Sequence, residues 1–122
     1  MTTKTPIQGP VLRAEFARRL GEVRDALFST LALTVEEIAS LEPPAPGAQW
    51  ENGAQQSERT MLSRLEEREW RELAEILAAQ ARFEAGQFGL CLRCGEAIPL
   101  ARLRAMPAAR FCFACQAQEE KR

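Results

Sequence analysis

From Val11 to Leu41, apolar side chains return at Leu12, Phe16, Leu20, Val23, Leu27, Leu31, Val35 and Ile38. Steps of three and four residues are the period of one face of an α-helix. The stripe is narrow, close to a coiled-coil seam. Thr34 to Glu37 has the form of a capping box, where a helix could begin afresh. The stripe passes through it without changing phase, so the pattern predicts one continuous helix. A second, less regular stripe through Leu62, Leu65, Leu73, Ile76, Leu77 and Phe83 predicts a helix over 54–85. Glu69 stands where that seam wants an apolar residue, with Trp70 beside it to cover the gap. Neither Gly nor Pro interrupts the stretch, and Glu, Ala, Leu, Arg and Gln dominate it, which favours helix locally. "EAGQFG" at 84–89 supplies a glycine stop.

Between the two helices lies "LEPPAPGAQWENG", residues 41–53. Two helices joined by a loop of about a dozen residues most simply form an antiparallel hairpin. At ~1.5 Å per residue each arm would reach ~45 Å. Such a hairpin buries little and needs an anchor at its base. The predicted division is a flexible lead over 1–10, a coiled-coil hairpin over 11–86 with its tip loop at 42–53, and a C-terminal module over 87–122. Internal repeats and low-complexity tracts are absent from the sequence.

Composition refines this picture. At 46% hydrophobic and 27% charged, the chain reads as soluble and folded. No apolar run approaches the ~18 residues of a membrane span, and "MTTKTPIQGP" lacks the charged-then-apolar pattern of a signal peptide. The expected location is the cytoplasm, with no membrane partner. A net charge of −1 argues against a general nucleic-acid coat. The distribution is uneven. No Lys or Arg lies between Arg24 and Arg59, where Asp25, Glu36, Glu37, Glu42, Glu51 and Glu58 fall. Residues 86–122 carry six basic and three acidic side chains. Solvated helix faces would explain such runs equally well.

All four cysteines lie in "CLRCGEAIPLARLRAMPAARFCFAC". Two C-x2-C pairs separated by seventeen residues are a zinc signature, since each pair converges on one ion and two pairs complete a tetrahedron. With no histidine in the chain, the ligand set is Cys91, Cys94, Cys112 and Cys115. Gly95 suits the tight turn around the sulfurs. Two disulfides are disfavoured by the compartment. A redox pair would want a βαβ context, which is missing. A four-thiolate shell leaves no position for substrate, so the single Zn2+ is expected to be structural. The fold class is all-α with a small zinc module. A long antiparallel helical hairpin stands on a four-cysteine zinc-finger platform that ends in a C-terminal helix.

Here the chain resembles the DksA/TraR family of bacterial RNA polymerase-binding regulators. The matching pieces are "FG" before the first cysteine, then C-x-x-C-G-E-x-I, RL-x-A-x-P and the second C-x-x-C, over 88–115 without a gap. The hairpin matches in length and pattern. The resemblance implies a monomer whose coiled coil enters the polymerase secondary channel. Its acidic tip then acts near the active site and modulates promoter complexes, with no sequence-specific DNA binding by the finger. Family members also take part in the stringent response with guanosine tetraphosphate. Here the tip is "GAQWENG", with Trp50, Glu51 and Asn52 as its candidate residues. The family's two tip aspartates fall on Ala48 and Glu51, so one acid is lost. Trp50 either docks on the partner or plugs the hairpin end. The family's alarmone cations fall on Met106, Gln116 and Glu75, none of them basic, which implies weak or absent alarmone binding. Arg102 and Arg104 fit the family pattern as platform residues, with Arg110 a nearby cation.

Other classes leave weaker traces. The basic C-terminal end could contact nucleic acid or another protein. Its aromatics are only Phe88, Phe111 and Phe113, and those flanking the cysteines are expected in the core. No histidine, no tyrosine, no open metal site and no glycine-rich phosphate loop speak against an enzyme.

Overall fold

The computed structural model describes residues 5–41 and 53–121. They form α1 (Pro10–Ser40), α2 (Gly53–Glu84), α3 (Leu100–Ala105) and α4 (Phe113–Glu120). Among the described residues there is no strand beyond an isolated antiparallel bridge, Leu90 to Ala97. The expected all-α class with a small cysteine module is the observed one. α1 opens on a proline, whose missing N–H costs nothing at the first helical position. It runs through Thr34 unbroken. The Thr34 hydroxyl does not cap a new helix; its single proton is shared between the Thr30 carbonyl at 3.1 Å and the Glu69 carboxylate at 2.8 Å. α2 ends in a Schellman-type motif. Gly86 has φ +75, its N–H reaches the Phe83 carbonyl, and the Gln87 N–H reaches that of Arg82.

The chain divides into two compact units, Met1–Arg24 with Glu75–Arg122, and Asp25–Ala74. The ends of both long helices thus belong with the cysteine module, rather than separating from it at 86/87. In this first unit Phe16 and Leu20 of α1 and Ile76 and Ala79 of α2 are buried with Ile7, Phe88, Ile98 and Leu103. Burying each large apolar side chain contributes about 1.5–3 kcal/mol. Phe88 is central, its ring 5.6 Å from Phe16 and 5.7 Å from Phe83. Arg13 lies 5.2 Å from the centre of the Phe83 ring and Arg24 meets Gln80, so numbers rise on α1 as they fall on α2, the antiparallel order.

The lead predicted to be flexible is packed from Thr5 to Ile7. Ile7 is buried, and the Thr5 hydroxyl donates to the Phe88 carbonyl and accepts from the Ile7 N–H. An apolar residue close before a helix can lie back on the core, which a reading of the lead as polar overlooks. Gly89, at φ +88, makes room for it: a Cβ there would sit 2.9 Å from Pro6 Cδ and 3.3 Å from Leu103 Cδ1.

In the second unit Leu31, Thr34, Glu69 and Leu73 are buried. Thr34 meets Glu69 and Leu41 meets Arg59, again antiparallel. Here the structure corrects the predicted stripes. The seam of α1 steps three residues from Leu31 to Thr34 and leaves Val35 exposed. On α2, Leu65 is exposed and Glu69, only 4% exposed, takes the seam position. In the first unit Leu77 is likewise exposed beside buried Ile76. Trp70 does not cover the gap at Glu69, because it is 52% exposed. The Thr34 hydroxyl fills that role, 2.8 and 3.1 Å from the two carboxylate oxygens.

This polar pair is testable. Thr34→Val strands a buried carboxylate and is expected to cost about 1–3 kcal/mol in chemical denaturation. Adding Glu69→Leu gives the seam a continuous apolar line and should bring stability back to wild type or above it. A double variant as unstable as the single one would contradict this account.

Candidate metal centre

The cysteines are delivered by two different local devices. The first pair sits on a turn closed by the Leu90–Ala97 bridge. Within it the Cys91 N–H bonds to the Glu96 carbonyl at 2.8 Å and the Gly95 N–H to the Cys91 carbonyl at 2.9 Å. Gly95 has φ +77, a left-handed conformation that a side chain disfavours, so glycine is what lets the chain reverse just past Cys94. The second pair belongs to α4. Cys112 is its N-cap and Cys115 lies in its first turn. Thiolates gain there from the positive end of the helix dipole.

The structure brings Cys91, Cys94, Cys112 and Cys115 together, with all four Sγ atoms within 4.8 Å of one another. The Cys94–Cys112 pair is 3.9 Å apart. A zinc ion bonded tetrahedrally at ~2.3 Å sets its sulfurs ~3.8 Å apart, so the cluster fits. None of the four is in a disulfide. Their proton affinities make the same point. Burial raises that of Cys91, but backbone N–H groups of Cys94, Cys112 and Arg93 outweigh it and hold the pKa at about 6. Cys94 receives a lowering hydrogen bond from the Glu96 backbone, yet the neighbouring Cys91 thiol and burial raise it on balance. Burial, then Cys112 and the other two sulfurs, push Cys115 up to about 12. Four clustered thiolates repel, and a dication among them removes the conflict. The set is the ligand shell of one structural Zn2+, closed and without a free position.

Around the sulfurs, Leu92 N–H bonds to the Arg110 carbonyl at 2.8 Å, tying the two cysteine pairs through backbone. Arg93 pairs with Glu119 of α4 at 3.0 Å. Arg102 of α3 donates through Nε to the Phe111 carbonyl and lies 4.5 Å from the centre of the Phe113 ring. Phe113, expected in the core, is 64% exposed, and Phe111 is half-buried. They serve as platforms for Arg102 and Arg110, while Ile98, Leu103 and Ala109 fill the interior. Arg104 is not simply a solvated face. It pairs with Glu15 at 3.0 Å, and its carbonyl accepts from Arg19.

Glu75, Met106 and Gln116, singled out from the sequence, do share one surface. They line a concavity of about 340 Å³ together with Arg102, Arg110 and Glu120. The tip candidates Trp50, Glu51 and Asn52, with Ala48, lie outside the described residues. Sequence reasoning missed Gly89, whose signal was the "FG" pair before the first cysteine. It also missed the Arg93–Glu119 link, which no spacing announces.

Because Cys94 and Cys115 are held protonated at neutral pH without metal, zinc loading must expel their protons. Titration calorimetry in buffers of different ionisation enthalpy is expected to show one Zn2+ per chain, at least about two protons released at pH 7, and weaker binding as pH falls. Loading without proton release would contradict the assigned ligands.

Comparison with known proteins agrees with this geometry. Residues 86–121 match the prokaryotic dksA/traR C4-type zinc finger. The chain is 31% identical over 93 residues to the RNA polymerase-binding transcription factor DksA of Haemophilus influenzae, covering 76% of this chain and 61% of that protein. It is 30% identical over 101 residues to the protein of the same name from Escherichia coli, covering 83% and 64%. It thus spans less than two thirds of the length of these curated relatives. The structure of transcription factor DksA2 from Pseudomonas aeruginosa superposes with a TM-score of 0.78 at 29% identity, over 89% of this chain and 83% of that one. Residues 86–121 thus carry the prokaryotic dksA/traR C4-type zinc finger, and the chain is similar in fold to the transcription factor DksA2.

Proposed function

We propose that this protein binds bacterial RNA polymerase and regulates transcription, without catalysing a reaction of its own. The observation that carries the reading is the similarity in sequence to proteins named RNA polymerase-binding transcription factor DksA, together with the similarity in fold to the transcription factor DksA2. Charge supports it. Asp25–Ala74 holds ten acidic residues and four arginines, whereas the other unit holds seven acidic and twelve basic residues. An acidic helical end suits a pore that leads to metal ions and basic residues.

In this reading the protein is a cytoplasmic monomer. The hairpin end enters the secondary channel, and Trp50, Glu51 and Asn52 reach towards the active site. Ala48 leaves Glu51 to act without a second tip acid. The surface of Glu75, Met106 and Gln116 offers no cation at those three positions, and Glu75 repels a polyanion. Guanosine tetraphosphate should therefore change the response little. Among the described residues, no helix is long and apolar enough to cross a membrane.

The other reading, contact with nucleic acid through the basic C-terminal end, is disfavoured. Arg93 is paired with Glu119, Arg104 with Glu15, and Arg102 is bonded to the Phe111 carbonyl. Competition for core polymerase between the zinc-loaded protein and a known secondary-channel factor tests the proposal. Mutual displacement is expected; simultaneous binding, or none, would refute it. Glu51→Ala should leave polymerase affinity within about twofold while reducing the effect on promoter-complex lifetime, since tip contacts add little to affinity. Equal loss of both would remove the tip role.

A further inference from the structure

Residues 5–9 form a strap that leaves the start of α1 and lies on the segment leading to the first cysteine pair. Gly9, at φ +85, turns the chain, and its carbonyl accepts the Arg13 N–H at 3.1 Å. A Cβ there would meet nothing within 4 Å, so Gly9 is a pivot in open space. Beyond it, Ile7 is 3% exposed, Pro6 lies against Gly89, and the Thr5 hydroxyl donates to the Phe88 carbonyl. One buried isoleucine and this hydrogen bond must offset the ordering of the strap, so docking is marginal and depends on the surface beneath it.

That surface is the root of the metal module. The Gly89 carbonyl accepts the Ile98 N–H at 2.7 Å, Leu90 bridges Ala97, and the Cys91 N–H reaches the Glu96 carbonyl at 2.8 Å. These successive rungs join 89–91 to 96–98, the two sides of the turn that carries Cys91 and Cys94. The metal closes the turn at its far end, and the strap covers Phe88 and Gly89 at its near end. Leu103 of α3 reaches the same glycine, since a Cβ on Gly89 would lie 3.3 Å from its Cδ1. Opening the rungs moves the Phe88 carbonyl and Gly89 away from their partners in the strap. We propose that the strap is a latch coupled to the metal: Thr5–Ile7 docks while the four cysteines hold an ion and swings out about Gly9 when the ion is lost. Metal occupancy is thereby read out as exposure of residues 5–9. The coupling is reciprocal, so docking of the strap tightens metal binding by the same factor. The inference rests on the cysteine ligand shell and is independent of polymerase binding.

The test uses the full chain, with zinc or with a chelator under reducing, oxygen-free conditions. The Ile7 N–H, bonded to Thr5 Oγ1 at 3.2 Å, reports docking by amide exchange. It is expected to be protected with zinc and unprotected without it. Zinc affinity is measured by competition with a chromophoric chelator. Thr5→Val, which keeps the shape and removes the hydrogen bond to Phe88, should weaken it about three- to tenfold. Ile7→Ala should weaken it at least about tenfold. Two controls should leave it unchanged: Val11→Ser, at a residue 80% exposed, and Leu31→Ala, which destabilises the other unit. Ile7 protection that survives chelation would overturn the latch; if the Cys91 and Gly95 amides lose theirs, the metal centre still stands. Unchanged zinc affinity in Thr5→Val and Ile7→Ala would also overturn it. So would equal weakening by Leu31→Ala, since metal loss would then unfold the whole chain.

Discussion

Four sulfur atoms within 4.8 Å of one another are the constraint on which the cysteine module depends. Without a cation among them they cannot all be thiolates; with one, two chain segments seventeen residues apart are locked together. The module has little else with which to close. α3 has six residues and α4 eight, both too short to be stable alone. One side of the zinc shell is a glycine-assisted turn and the other a helix start. Arg93–Glu119 and the Leu92–Arg110 backbone bond hold those two supports in register. Leu103 and Ile98 then present a small apolar face that Phe88, Phe16 and Ile7 complete. The anchor that a two-helix hairpin requires is supplied in this way, by metal coordination and one aromatic cluster.

The second unit is built on a different balance. Its seam is narrow, and it gives one of its layers to Thr34 and Glu69 rather than to leucine. A satisfied buried polar pair contributes less than packing but penalises any slipped register, in which the carboxylate would lose its hydroxyl. The same stretch of chain leaves Phe28, Val35 and Trp70 outside. An interior partly polar and an exterior partly apolar is the reverse of what stability alone would select.

Much of this was legible in the sequence, for identifiable reasons. Helix boundaries came within one residue because a proline start and a glycine stop are local signals that act where they stand. The ligand set followed from spacing and from the absence of histidine. Side-chain fates were harder where two neighbours compete for one seam position. Thr34 against Val35 is decided by a carboxylate thirty-five residues away, which no local window contains. Phe113 looked like core because it is apolar and next to a ligand, yet a first-turn position on α4 turns it to Arg102 and solvent. The packed Thr5–Ile7 lead depended on the absence of a Cβ at Gly89, a cause that becomes visible only in three dimensions.

The measurement that bears most directly on this account is amide hydrogen exchange before and after zinc is removed by a chelator under reducing, oxygen-free conditions. The informative amides are Cys91, Leu92, Gly95 and Gln116, each bonded within the module. The account predicts that their protection collapses when the metal leaves and returns when zinc is added back. Protection that persists in the metal-free, reduced chain would contradict it, because hydrogen bonds and apolar packing would then be sufficient to hold the module closed.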